Sequence, residues 1–71
     1  MKRRPVTSSA IASVGYDDEA RVLEVEFTSA EVYRYFDVDP GEADELMTAE
    51  SRGAYLNEQI KPRHRYEHVS G

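Results

Sequence analysis

Leu23, Val25 and Phe27 alternate with Glu24 and Glu26 across residues 21–27, and a two-residue period of this kind belongs to a strand with one apolar and one acidic face. Such a strand is half-buried and pairs antiparallel with its neighbours. The next four residues, Thr28, Ser29, Ala30 and Glu31, have the length of a hairpin loop, so the run after them pairs antiparallel with the first. That run, residues 32–38, reads Val-Tyr-Arg-Tyr-Phe-Asp-Val. Strand geometry places Tyr33 and Tyr35 on one face and Val32, Arg34, Phe36 and Val38 on the other. Both faces are largely apolar, which calls for cover on at least one side. Upstream, residues 11–16 form a third short run, with Ala12, Val14 and Tyr16 on one face and Ile11, Ser13 and Gly15 on the other. Gly15 inside it marks a bulge or a close backbone approach. Asp17, Asp18, Glu19 and Ala20 make the polar connection. The expectation is a three-stranded antiparallel meander.

Beyond Val38 the period becomes helical. Asp39, Pro40 and Glu42 carry a helix start: Asp39 as the N-cap, Pro40 at the first helical position and Glu42 three residues after the cap. Ala43, Leu46 and Met47 form a narrow apolar stripe. A second short helix is expected over residues 51–60, capped by Ser51, with Tyr55, Leu56 and Ile60 available for packing and Pro62 ending it. Residues 1–9 show no apolar periodicity and read as a flexible basic arm, leaving 10–71 as a single domain. The segment from Lys61 onward is basic and partly aromatic. His64, Tyr66 and His68 alternate there with Arg65, Glu67 and Val69, a pattern compatible with a short fourth strand. The expected architecture is α+β, a three-stranded antiparallel meander with two short helices packed on one face and a basic C-terminal tail.

With 71 residues there is room for one small core, worth about 3–5 kcal/mol. The chain has no cysteine, which excludes disulfides and thiolate metal sites and makes self-association a reasonable source of added stability. Charge is segregated. Residues 10–59 hold thirteen acidic and three basic residues, whereas Lys2, Arg3, Arg4, Lys61, Arg63 and Arg65 lie at the two ends against Glu67. An acidic body repels a phosphate backbone over most of its surface, so any nucleic-acid contact falls to the basic ends or to Arg34. The start, Met1 to Arg4, is basic, but residues 5–14 are too polar for an export signal, and no stretch approaches membrane-spanning length. The expected location is cytoplasmic, with no membrane partner.

Ser8-Ser9, Ile11, Gly15-Tyr16, Leu23-x-Val25-x-Phe27, Tyr33-x-Tyr35, Val38, Leu46, Ala49-x-Ser51-x-Gly53, Asn57 and Ile60 form an ordered set whose spacing resembles that of the KTSC domain family. No single element of the set is specific; their order over most of the chain carries the resemblance. That family is named for a domain at the C-terminus of some lysyl-tRNA synthetases, and it also occurs as short stand-alone bacterial proteins. The family has no established function, and RNA binding has been suggested from the synthetase association. The resemblance implies the stand-alone form here, since no catalytic or tRNA-binding domain is attached. There are two departures. Ala30-Glu31 occupies the hairpin loop where relatives tend to carry glycine, and the proline after the Tyr-x-Tyr strand sits one place later, at Pro40.

The candidate nucleic-acid-binding residues are Tyr33, Arg34, Tyr35, Lys61, Arg63, Arg65 and Tyr66. The two strand tyrosines offer a stacking platform for unpaired bases, and the cations track a phosphate backbone with Tyr66 interleaved. The competing structural reading has both strand tyrosines filling the core and the basic tail simply solvated. Ser51 with Asn57 and Gly53 read as helix capping and packing rather than as a site. Ser8, Ser9 and Ser51 lack a nucleophile context, His64 and His68 lack a third metal ligand, and Asp17, Asp18 and Glu19 lack the pattern of a calcium loop. No enzymatic activity, metal or other cofactor is expected. Two functions stay open: an RNA-binding accessory module for tRNA or single-stranded RNA, and a protein–protein interaction or homo-oligomerising module.

Overall fold

A computed structural model of the chain describes residues 3–70. It contains β1 (Arg4–Pro5), β2 (Ile11–Asp17), β3 (Val22–Phe27), β4 (Val32–Tyr35), α1 (Pro40–Thr48), α2 (Arg52–Tyr55), which runs on as a π-helical segment (Leu56–Ile60), and β5 (Tyr66–Ser70). The strands form one antiparallel sheet in sequential order, β1-β2-β3-β4-β5. The three expected strands are its centre, but the expected three-stranded meander is corrected at both edges. Arg4 and Pro5 pair with Val14 and Ser13, and Tyr66 to Ser70 pair along β4. Edge strands bury little, so neither carries the apolar pattern that marks the central three. Met1 and Lys2 of the expected arm lie outside the described residues.

Register sorts the side chains. Leu23 faces Tyr35 and Val25 faces Tyr33 between β3 and β4, while Val14 and Tyr16 of β2 face Val25 and Leu23. Directly paired residues point to the same face, so these six side chains share one side of the sheet. Both helices cover that side. Ile11, Val14, Leu23, Val25, Tyr35 and Val38 pack with Ala43, Leu46, Leu56 and Ile60 into a single core. β4 is shorter than residues 32–38 because Asp37 adopts a left-handed conformation, φ 57°. Aspartate tolerates that region better than most residues, and the turn swings Val38 into the core, where its N–H reaches the Arg21 carbonyl at 3.0 Å.

α1 begins as its sequence requires. Asp39 is the N-cap, Pro40 comes next, and the Glu42 carboxylate accepts the Asp39 backbone N–H at 3.2 Å. Ser51 caps α2 by accepting the Ala54 N–H at 3.3 Å. The expected second helix is present over its whole length, but its last turn widens, and the Lys61 N–H bonds back to the Leu56 carbonyl at 2.9 Å. His64 then ties the chain down after Pro62. Its Nδ1 lies 2.8 Å from the Phe36 carbonyl and its Nε2 lies 2.8 Å from the Glu42 carboxylate. This clamp delivers residues 65–70 to the edge of β4.

The hairpin turn and the clamp each set an expectation for stability. Ala30 in the β3–β4 loop has φ 74°, a region that costs an L-residue about 1–2 kcal/mol and glycine almost nothing. Ala30→Gly is expected to raise the urea-unfolding free energy by up to about 1 kcal/mol, since the greater freedom of glycine in the unfolded chain offsets part of the relief. Burial by itself would raise the Glu42 carboxyl, but hydrogen bonds from His64 and from the Asp39 backbone prevail and hold it below its ordinary value of 4.5. A lowered carboxylate stabilises the fold above the unfolded-state value, and that stabilisation disappears as the pH falls through the lower, folded-state value. Glu42→Gln should therefore cost about 1 kcal/mol at neutral pH, and the difference from the parent chain should shrink below about pH 4 in unfolding curves measured from pH 7 to pH 3.

Candidate functional site

At the β3–β4 hairpin end of the sheet the helical layer stops short. A groove of about 710 Å³ opens there, lined by Ser9, Ala10, Phe27, Thr28, Ser29, Glu31, Tyr33, Tyr35, Lys61 and Tyr66. Each wall has a local cause. Phe27 is the last inward residue of β3, half-buried and packed against the edge of the core. Tyr33 stands beside it on β4, the two rings meeting edge to face with centroids 5.7 Å apart. The pairing of Tyr35 with Tyr66 and of Tyr33 with His68 brings two β5 rings to the same side. His68 stacks on Tyr33 at 4.6 Å, and Tyr66 lies 5.8 Å from Tyr33 and 6.0 Å from Tyr35. Lys61 leaves the end of the widened helical turn with its Nζ 5.6 Å from the centre of the Phe27 ring.

The two tyrosines of β4 have different surroundings. Tyr35 is 1% exposed and belongs to the core, and burial, followed by the nearby Tyr33 and Tyr66, pushes its hydroxyl up to about 12. Tyr33 is half-buried and lines the groove, its hydroxyl raised first by lost hydration and then by the Glu31 carboxylate beside it. Tyr66 is 59% exposed. Tyr66 is thus the exposed ring of the groove, beside half-buried Tyr33, one face of which His68 covers, and above buried Tyr35.

The candidate cations separate. Lys61 is at the groove. Arg34 points to the opposite face, where its Nε donates to Glu24 at 2.9 Å. Glu24 also accepts from Arg3 Nη1 at 2.9 Å and is itself buried, so one carboxylate holds the guanidinium groups of Arg3 and Arg34 across the sheet. Arg3 reaches it over Gly15, which is paired with Glu24 and presents no side chain in between. Arg65 alternates with Tyr66 and so shares the Arg34 face, its guanidinium 5.3 Å from the centre of the Phe36 ring. Arg63 is exposed on the connection between the π-helical segment and β5.

The structure therefore brings Tyr33, Tyr35, Lys61 and Tyr66 together and leaves Arg34, Arg63 and Arg65 outside the groove. Sequence reasoning did not include Phe27, Glu31 or the hydroxyls of residues 28 and 29. The available signal was positional: Phe27 ends the alternating run and the four-residue loop comes directly after it, so both sit where a short helical layer cannot reach. Among the described residues no helix is long and apolar enough to cross a membrane.

Known proteins resemble this chain in sequence and in fold. The KTSC domain family model matches residues 7–66. A protein of Stutzerimonas stutzeri is 45% identical over 64 residues, covering 90% of each chain. A lysine–tRNA ligase of Nostoc punctiforme is 36% identical over 62 residues, which are 87% of this chain and 11% of the ligase. The crystal structure of a KTSC domain protein from Yersinia pestis superposes with a TM-score of 0.93 at 33% identity, covering 97% of both chains. On the family match, the identities and the shared fold, the chain belongs to the KTSC domain family.

Proposed function

We propose that this chain is a small non-catalytic RNA-binding accessory module that holds an unpaired stretch of RNA at the groove between the β3–β4 hairpin and Lys61. The observation that carries the reading is the gathering of aromatic rings and a cation in one groove on an otherwise acidic body: half-buried Phe27 and Tyr33 and exposed Tyr66, with the Lys61 ammonium among them. Aromatic side chains presented on a sheet are how several RNA modules hold splayed bases. A cation next to them supplies the phosphate contact that such stacking needs. The resemblance to a stretch of lysine–tRNA ligases supports tRNA as the first RNA to try. Arg63, exposed close in sequence to Lys61, is the second phosphate contact on this reading. The chemistry of the opposite face is different. Arg34 and Arg3 there share the Glu24 carboxylate, and Glu67 stands opposite Arg34 in register.

Fluorescence anisotropy with pooled, labelled tRNA tests the proposal. Binding is expected at low salt, with log affinity falling against log salt at a slope of about −1 to −2 for one or two phosphate contacts. Tyr66→Ala should weaken binding about tenfold or more, since one base stacked on an aromatic ring is worth about 1–3 kcal/mol. The exposed position of Tyr66 makes loss of folding a minor concern, and a circular-dichroism melt of the variant checks it. Absence of any binding to tRNA at low salt would sink the reading.

A further inference from the structure

We infer that the groove selects guanine, with the Glu31 carboxylate reading the base and Lys61 taking its 5′-phosphate. This deepens the RNA-binding reading, on which it rests for the identity of the site. The groove's volume of about 710 Å³ lies within the range of small-ligand sites. Its lining presents three chemistries at once: flat apolar rings, one ammonium and one carboxylate. A ligand that answers all three has a planar π-system, an anion, and N–H donors directed at the carboxylate. A nucleoside 5′-monophosphate unit supplies the first two.

The third requirement separates the bases. A carboxylate is an acceptor-only group with two oxygens. Guanine alone among the four standard bases carries two adjacent donors, N1–H and N2–H, on its Watson–Crick edge, and can meet both oxygens in parallel. Adenine and cytosine place a ring-nitrogen lone pair beside their amino group, and uracil flanks its one N–H with carbonyl oxygens, so each sets an acceptor against the negative charge.

Glu31 is built to serve as such a reader. Its backbone is fixed by the hairpin, because its carbonyl accepts the Phe27 N–H at 2.8 Å and the Ala30 N–H closes the same turn onto the Phe27 carbonyl at 2.9 Å. Its carboxylate is steadied by the Ser29 hydroxyl, which donates to it at 3.2 Å. His68 Nε2 stands 3.8 Å from it as an ion-pair neighbour, the Tyr33 hydroxyl engages the same carboxylate, and the Glu31 side chain stays 44% exposed. The exposed part of the carboxylate lines the groove together with Tyr33 and Tyr66, the rings against which a base would lie. The carboxylate also makes the pocket unwelcoming to phosphate at that end, which directs the nucleotide's anion to Lys61 and sets its orientation.

Titration of the full chain with GMP, IMP, AMP, CMP and UMP up to millimolar concentration, followed by NMR chemical-shift changes, tests the inference. GMP should bind about tenfold or more tightly than AMP, CMP or UMP, the discrimination expected of a good two-point contact to a base edge. IMP, which keeps N1–H and lacks the 2-amino group, should fall between them. Glu31→Ala should bring GMP to the level of AMP, and Lys61→Gln should weaken GMP while leaving guanosine unchanged. Equal binding of all five nucleotides, or binding of none, overturns the inference. A parallel arm uses a single-stranded oligo-A RNA with and without one guanosine, and separates a residue within RNA from a free nucleotide. If tRNA binds but nucleotides are not discriminated, the guanine assignment falls and the RNA-binding reading stands. If GMP binds selectively and no RNA does, the RNA-binding reading falls and the pocket serves a free nucleotide.

Discussion

The pairing of β3 with β4 in the register Leu23 to Tyr35 and Val25 to Tyr33 is the constraint on which the rest of the structure depends. One residue of slip would turn both tyrosines away from the helices and bring Arg34 into the core. In the observed register Tyr35 lies beneath the helices and Tyr33 lies just beyond them. Truncating a ring as buried as Tyr35 costs about 3–5 kcal/mol, comparable with the whole stability of a domain this small. Its role in the fold therefore leaves it little freedom to serve a ligand. Tyr33 is two residues nearer the hairpin and only half-buried.

The same register organises charge. Glu24 is 6% exposed, and a carboxylate so placed is tolerable only with partners. It has two, Arg3 from the N-terminal side and Arg34 from β4, and the gap at Gly15 lets the first of them through. This fastens the short β1 to the centre of the sheet. It also means that two of the chain's arginines are committed to internal charge balance, while Lys61, over the Phe27 ring, faces an open groove. The helical layer contributes through its end. The widened turn at Leu56–Ile60 brings the chain to Lys61, and the His64 clamp between Phe36 and Glu42 returns it to β5, carrying Tyr66 and His68 against Tyr33.

Much of this is readable from the residues alone. Alternation at Leu23, Val25 and Phe27, the four-residue loop and the Asp39-Pro40-x-Glu42 start are local signals, and each places its element correctly. The outer strands are less legible for a physical reason. β5 is exposed from Tyr66 to Val69 and β1 is two residues containing a proline, so their places are set by backbone hydrogen bonds and the His64 clamp rather than by burial. The groove is half legible. Tyr33, Lys61 and Tyr66 stand out by residue type, whereas Phe27 looks like core and Glu31 like a solvated loop. Their membership depends on where the helical layer ends above the sheet, and that is decided by packing between elements distant in sequence.

The division of labour between Tyr33 and Tyr35 is tested most directly by NMR of chain carrying ¹³C-labelled tyrosine rings, titrated with tRNA at low salt. All five tyrosines report at once. The ring signals of Tyr33 and Tyr66 are expected to move most as tRNA is added, that of buried Tyr35 less, while those of Tyr16 and Tyr55 hold their positions. Shifts confined to Tyr35 or to rings outside the groove, or no shift in Tyr33 and Tyr66 while tRNA binds, would contradict the account.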